Sequence, residues 1–220
     1  MLKKLSDSGL QPISLATVKK FCRLDNDFEN DLIQQFLDTA LEWVEQQARI
    51  QLGPATYQMT LDNFPTWDYY ANYPMMYPFP ALVTAAKYGS LVAPWQTIPL
   101  LVYPVQTIDS ITYLDTTGTL QTLDPSKYVF DQQGCRVSVA ANTFFPFTLA
   151  QINAVTIQFT AGFGTTDQTQ AEQVAVIPKK ILLAVLNYCL AVYENRDGVP
   201  EKTMETLERI CNGERQVVLS

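Results

Sequence analysis

Carboxylates would have to do any acid–base or metal chemistry in this chain, because its 220 residues include no histidine. Histidine is the commonest general base and a common ligand of transition metals, so enzymes and metal sites that depend on it are excluded. Four carboxylates lie in the central part of the chain. Three of them lie in or beside predicted turns, where an Asp side chain accepts hydrogen bonds from nearby backbone N–H groups, and this favours a structural role over catalysis. The four that could supply the acid and nucleophile of a glycosidase are Asp109, Asp115, Asp124 and Asp131.

A second carboxylate cluster, from Asp25 to Asp31, resembles the start of a calcium-binding loop. Its sixth position is Asn30, where such loops need glycine, and its twelfth is Phe36, where they use glutamate. Acidic residues at the start of a helix also interact favourably with the helix dipole, which explains the cluster without a metal. The sequence therefore predicts no metal site.

The stretch 161–166, Ala-Gly-Phe-Gly-Thr-Thr, has the glycines of a phosphate cradle. It lacks the lysine of a P-loop, and no helix is predicted directly behind it. We interpret it as a glycine turn, and no catalytic residue or cofactor is predicted anywhere in the chain.

Residues 66–96 form a segment with high aromatic content and no clean periodicity. A surface loop without a partner is not expected to expose so many rings. A carbohydrate platform is one interpretation, and packing against a neighbouring subunit is the favoured one, since Tyr and Trp are enriched in interface cores. The residues predicted to form this interface are Trp67, Tyr69, Tyr70, Tyr73, Tyr77 and Trp95.

Residues 213–220 are predicted to be a docking tail. Val217, Val218 and Leu219 are consecutive apolar residues at a terminus, where chains fray unless they are bound. An extended segment of this kind can add a strand to the exposed sheet edge of a partner. An edge strand on the chain's own fold is the alternative.

Two periodicities organise the rest of the chain. Apolar residues at three- and four-residue steps predict helices near both ends, and alternation predicts strands between them, with Val155, Ile157 and Phe159 facing inward. The predicted helices are about 15–23, capped by Ser14; 28–48, with Gly53-Pro54 as the stop; 177–196, with Pro178 in its first turn; and 201–211, ended by Asn212-Gly213. The predicted strands begin at Thr56 and continue at 110–114, 120–123, 127–130, 135–139 and 154–160.

This order predicts an α+β protein, in which a helical bundle domain is split by an inserted antiparallel β domain, either a meander or a small sandwich. The predicted boundaries are 1–53 and 177–212 for the two parts of the helical domain, 54–176 for the β domain and 213–220 for the tail. With 47% apolar and 17% charged residues, the chain has ample material for packed cores.

The charge distribution, the apolar runs and the cysteines indicate which partners and which cellular compartment the chain is suited to. The net charge is −7, and residues 53–176 hold three basic and eight acidic residues, so nothing resembles a basic stripe for gripping nucleic acid. The longest apolar run, Ile181 to Val192, is interrupted by Asn187 and too short for a membrane span. No secretory signal is predicted. A reducing compartment is expected because no C-x-x-C pair occurs among Cys22, Cys135, Cys189 and Cys211.

Several segments together resemble the tailed-phage head-tail connector family, whose small adaptor proteins also occur in prophages and gene transfer agents. Each matching segment is short, and the order of the segments along the chain carries the resemblance. Residues 66–96 depart from the family pattern. The segments are Asp31-Leu-Ile with Ala40-Leu-Glu-Trp-Val-Glu45, Leu61-Asp-Asn-Phe-Pro65, Ile108 to Gly118, Tyr128-Val-Phe-Asp131, Val155 to Gly164 and Ile177 to Arg196.

The resemblance implies a non-enzymatic homo-oligomeric ring, expected to be a dodecamer, beneath the portal protein in the neck of a virion assembled in the host cytoplasm. Such a ring would join the DNA-filled head to the tail, meet a stopper or tail-completion protein, and continue the DNA channel without sequence-specific binding. The acidic centre agrees with this, because an acidic channel repels phosphate. A β-sandwich carbohydrate-binding or tail-fibre module is the alternative function, and a carboxylate glycosidase is a third.

Overall fold

The computed structural model describes residues 1–25, 27–65, 97–141, 143–165, 167–195 and 198–214. Helices lie towards both ends of the chain and antiparallel sheets between them, which confirms the α+β class. The helices are α1 (Leu15–Cys22), α2 (Asn30–Ala48), α3 (Gln170–Ala175), α4 (Lys179–Glu194) and α5 (Glu201–Glu214). The strands are β1 (Leu2–Asp7), β2 (Ala55–Leu61), β3 (Thr97–Pro99), β4 (Val105–Leu114), β5 (Leu120–Thr122), β6 (Tyr128–Asp131), β7 (Arg136–Val139) and β8 (Val155–Ala161).

The start of α1 follows from its sequence. The Thr17 backbone N–H donates a hydrogen bond of 3.2 Å to the Ser14 hydroxyl oxygen, which confirms the predicted cap. At the other end Arg23 adopts the left-handed conformation at φ 58° and closes the helix. Val18 is the fully buried residue of this helix.

The predicted boundaries of α2 and α5 differ from those in the structure. α2 begins at Asn30, so Phe28 lies before the helix and is 97% exposed instead of joining its apolar face. The helix then ends at Ala48 because Arg49 turns left-handed at φ 54°, well before Gly53. α5 continues through Asn212 and Gly213 to Glu214. Burial of its face, including Cys211, outweighs the low helix propensity of Asn and Gly there.

The larger sheet has the strand order β1-β2-β8-β4-β5 and the smaller one β3-β7-β6, with every strand pairing antiparallel. β8 lies at the centre of the larger sheet, and the predicted inward residues Val155, Ile157 and Phe159 are fully buried. Residues from both sheets share one hydrophobic core, so the small sandwich describes the β region better than a meander.

Three elements were not expected from the sequence. β1 contains two lysines, and all of its residues after Leu2 are exposed, so it has no apolar alternation. It is held instead by main-chain pairing with β2. β3 spans three residues, and α3 spans six, with Thr169 and Glu172 forming a capping box.

Two hydrophobic cores meet at one connection. The helical core contains Leu37 and Ile181, and the β core contains Phe64 and Phe159. Tyr103 packs against both cores. The Gln51 backbone N–H donates to the Tyr103 carbonyl at 2.8 Å, and the Tyr103 N–H donates to the Arg49 carbonyl at 3.1 Å. The segment after α2 is thereby bonded to the segment that enters β4.

A polar network reinforces this connection from the side of β1. Lys4 Nζ lies 3.5 Å from a carboxylate oxygen of Glu45, whose other oxygen accepts hydrogen bonds from the Gln51 side chain at 3.0 Å and the Leu52 backbone N–H at 2.9 Å. The Tyr57 hydroxyl donates to the Gln51 side-chain oxygen at 2.5 Å. Burial raises the pKa of Tyr57 to about 12, so the phenol remains a donor.

None of the four cysteines forms a disulfide. Cys135, Cys189 and Cys211 are buried in apolar cores, as small hydrophobic residues are. Burial raises the pKa of Cys189 to about 12 and that of Cys211 to about 11. These thiols therefore act as apolar packing residues in the cores.

We expect Leu37→Ala to lower the free energy of unfolding by about 2–5 kcal/mol, because Leu37 is fully buried in the helical core and its truncation leaves a cavity. Leu183→Ala on α4 is the control, since that side chain is 46% exposed and its loss should cost about 0.5 kcal/mol. Chemical denaturation measures both. Equal losses in the two variants would contradict the packing described here.

Glu45→Gln should change how stability depends on pH. Burial raises the pKa of Glu45 above its usual 4.5, and the Leu52 hydrogen bond and the Lys4 charge lower it only in part. The fold thus favours the neutral carboxyl, and this contribution is complete below the usual pKa and is lost as pH rises through the raised value. We expect wild type to lose stability relative to Glu45→Gln as the pH rises from the usual pKa of a glutamate through the raised pKa of Glu45.

Denaturant titrations across that pH range give the difference in the free energy of unfolding between wild type and Glu45→Gln. The matched control is Glu42→Gln, an exposed position on the same helix. A wild-type-minus-Glu45→Gln difference that stayed flat with pH would rule out the effect of burial on Glu45.

Candidate interaction surfaces

The residues predicted to form partner interfaces lie outside the part of the chain that the structure describes. The described chain stops at Pro65 and resumes at Thr97 around the aromatic segment, and it ends at Glu214 before the tail. The interface predictions for Trp67, Tyr69, Tyr70, Tyr73, Tyr77, Trp95, Val217, Val218 and Leu219 therefore stay predictions.

The loop between β7 and β8 presents three large apolar side chains to solvent. Phe144 is 77% exposed, Phe147 is 73% exposed and Ile152 is 76% exposed. All three lie within residues 143–153, which we call the β7–β8 loop. Sequence analysis did not identify this surface, because an irregular loop has no periodicity.

Neighbouring contacts hold the β7–β8 loop in place. Phe145 turns inward and stacks on Phe64, with ring centroids 4.7 Å apart and an interplanar angle of 6°. The Leu149 backbone N–H donates to the Leu114 carbonyl at 3.0 Å. The Asn153 backbone N–H donates to a carboxylate oxygen of Asp62 at 3.0 Å. The exposed side chains thus project from an anchored backbone.

The sequence does carry one signal for this surface. Residues 137–166 contain no charged side chain, and the loop lies inside that stretch. Depletion of charge together with exposed aromatic residues is typical of the buried centre of protein–protein interfaces. The β7–β8 loop is therefore a candidate contact surface.

A cleft of about 220 Å³ lies where the helical and β domains meet. The rings of Tyr103 and Phe163 cross edge to face in its wall, with centroids 6.2 Å apart. Lys180 Nζ pairs with the Glu214 carboxylate at 3.1 Å, so the last turn of α5 is fixed beside the start of α4. The lining residues are Ile50, Tyr103, Phe163, Pro178, Ile181 and Glu214.

The predicted glycine turn after β8 is confirmed as structural. Gly162 has φ 129°, and a side chain on it would collide with the Gly53 carbonyl. The Gln106 side-chain amide donates to the Gly162 carbonyl at 2.7 Å and also to the Gly164 carbonyl. The turn therefore presents carbonyl oxygens to a donor, which is the opposite of the N–H groups that a phosphate site requires.

The central carboxylates bind their own turns, as the sequence indicated. Asp115 accepts hydrogen bonds from the Thr117 hydroxyl and the Thr119 backbone N–H, and these bonds lower its pKa to about 2. Asp124 caps the 3-10 turn through the Ser126 N–H at 2.8 Å. Asp131 accepts from the Gly134 N–H at 2.9 Å. Carboxylates stabilised in their charged form are poorly suited to act as general acids.

The remaining carboxylates also have local partners. Asp109 accepts from the hydroxyls of Thr107 and Thr160. Asp27, in the cluster that resembles a calcium loop, pairs with Lys19 at 2.5 Å, and this hydrogen bond lowers its pKa. Among the described residues, no group of three or more potential ligand side chains could hold a metal ion.

Comparison with known structures finds chains of similar fold. A chain of "Virion of native gene transfer agent (GTA) particle" matches with a TM-score of 0.67 and 17% identity, covering 100% of this chain and 97% of that one. A chain of "Neck of empty GTA particle computed with C6 symmetry" matches with a TM-score of 0.67, 18% identity and coverages of 100% and 97%. A chain of "Neck of native GTA particle computed with C12 symmetry" gives 0.61, 16%, 96% and 94%.

Sequence comparison agrees over the N-terminal part. Residues 12–69 match the model of the family described as phage gp6-like head-tail connector protein. The resemblance to head-tail connectors is confirmed. No curated protein matches the chain. In the ranges that the structure describes, no helix is both long enough and apolar enough to span a membrane.

Proposed function

We propose that this chain is a structural, non-enzymatic head-tail connector in the neck of a phage-like particle, beneath the portal and above the tail. The observation that carries the proposal is the fold, which matches neck proteins of a gene transfer agent over the whole length of the chain at a TM-score of 0.67. The connector match over residues 12–69 supports the same assignment independently of the coordinates.

In this proposal the chain forms a closed homo-oligomeric ring, and a dodecamer is the expected size. The similar necks were computed with C6 and C12 symmetry, both compatible with twelve copies around one axis. A cyclic ring needs two different surfaces on each protomer, one for each neighbour. The ring would also meet the portal on one side and a stopper or tail-completion protein on the other.

DNA would pass through the ring without sequence-specific contacts. The chain has a net charge of −7. A channel wall that repels phosphate allows DNA to slide, whereas a basic wall would retain it by counterion release. Assembly in the host cytoplasm agrees with the reduced state of all four cysteines.

Three apolar segments are proposed as contact surfaces of the connector. The β7–β8 loop is the one the structure describes, and its anchoring through Phe145 and Leu149 makes it suitable for docking without large rearrangement. The aromatic segment 66–96 is proposed to pack between subunits or against an adjoining ring. The C-terminal tail is proposed to dock on the portal.

We expect Phe144→Ser combined with Phe147→Ser to reduce incorporation of the chain into particles by roughly tenfold or more, since two buried interface aromatics typically contribute about 2 kcal/mol each. The melting temperature should be unchanged, because both side chains are exposed in the free chain. Phe28→Ser is the matched control, as that ring is 97% exposed in the other domain. Quantitative immunoblotting of purified particles measures incorporation.

A double variant that entered particles at the wild-type level would exclude the β7–β8 loop as a neck contact. A drop of equal size in Phe28→Ser would mean that loss of any exposed phenylalanine has the same effect.

The neck assignment itself is tested by imaging. Particles that carry a tagged copy of this chain should contain it as a closed ring at the junction of head and tail, and the chain should copurify with the portal protein. Particles lacking the chain at the neck would refute the proposal. Retention of the purified chain on a glycan column, lost on substitution of Trp67 or Trp95, would support the carbohydrate-binding alternative instead.

A further inference from the structure

We propose that the cleft between the two domains is an intramolecular seat for the chain's own C-terminal segment, residues 215–220, while the chain is free of its partners. The cleft is lined by aliphatic and aromatic side chains and by Glu214, in the last turn of α5. The segment that would occupy it follows directly from that turn. The cleft and its occupant are therefore adjacent in the same molecule.

The cleft has the chemistry of a site for aliphatic side chains. Ile50 and Ile181 are buried in its wall, and Tyr103 and Phe163 supply ring surfaces. Among the described lining residues Glu214 is the charged one, and its carboxylate is paired with Lys180. An apolar wall with its charge neutralised favours apolar occupants over ions or polar ligands.

The C-terminal segment has matching chemistry. Its sequence is Arg-Gln-Val-Val-Leu-Ser, in which Val217, Val218 and Leu219 are three consecutive apolar residues. Aliphatic side chains gain free energy on leaving water for an apolar surface. Neither Arg215 nor Ser220 has to enter the cleft for these three to reach it.

The tether length permits this arrangement. Glu214 lines the cleft, and Val217 lies three residues further along, a distance of at most about 10 Å in extended chain. A short tether gives its end a high effective concentration near the attachment point, which favours the chain's own segment over that of a second copy. The ion pair between Lys180 and Glu214 places the point of departure beside the start of α4, where Pro178 and Ile181 also line the cleft.

The seat has a consequence for assembly, and this step rests on the proposed neck function. The same three apolar residues cannot occupy the cleft and dock on the portal at once. Portal binding would therefore have to displace the segment, so that the free chain keeps its docking residues covered until a partner competes for them.

Methyl NMR tests the seat on the whole chain without any partner. Signals of Ile50 and Ile181 are compared between the full chain, a chain ending at Glu214, and the variant Val217→Ser, Val218→Ser, Leu219→Ser. Both altered chains should show the same shift changes at these two methyl groups, because each removes the apolar occupant. Gln216→Ser is the matched control in the same segment and should leave the signals unchanged.

Adding the free peptide Arg-Gln-Val-Val-Leu-Ser to the chain that ends at Glu214 should return the two signals towards their full-length positions, and the serine-substituted peptide should not. Identical Ile50 and Ile181 signals in the full and shortened chains would overturn the proposal. Shifts that grew with protein concentration would overturn the intramolecular seat in favour of a neighbouring copy. Each outcome is independent of whether the chain enters particles.

Discussion

The antiparallel pairing of β2 with β8 is the contact on which the split organisation of this protein depends. β2 is the strand by which the chain leaves the helical domain, β8 is the one by which it returns, and Ala55 lies opposite Ala161 at their shared end. Gly162 completes this closure, because any side chain there would strike the Gly53 backbone. The β insertion therefore begins and ends at one point, and α2 and α4 can pack as though the chain between them were absent.

Regular elements were predictable from the sequence because their periods are direct consequences of burial. Alternation located β8, and the buried face of α2 followed from three- and four-residue spacing. β1 was not predictable, since its residues after Leu2 are exposed and it is held by main-chain pairing with β2, a strand distant in sequence. The continuation of α5 past Asn212 depends on tertiary burial, which local propensity does not contain.

The candidate sites also include some that could be predicted from the sequence and some that could not. The turn carboxylates could be interpreted from sequence because an Asp beside a turn binds backbone within a few residues. The β7–β8 loop was missed because Phe145 points inward onto Phe64 while Phe144 and Phe147 point outward, and no local pattern separates these three rings. The absence of charge from residues 137–166 was the one visible signal. The interface predictions at 66–96 and 217–219 lie beyond the described residues and remain predictions.

The buried thiols determine how the proposed connector would respond to oxidation. Thiol oxidation and disulfide exchange proceed through the thiolate, and with pKa values of about 12 and 11 Cys189 and Cys211 are almost entirely protonated at neutral pH. A connector assembled in a reducing cytoplasm and then released into an oxidising medium would pass between the two without gaining or losing a crosslink at these positions. In the proposed connector, the packing of α4 and α5 around these two thiols would thus be independent of redox conditions.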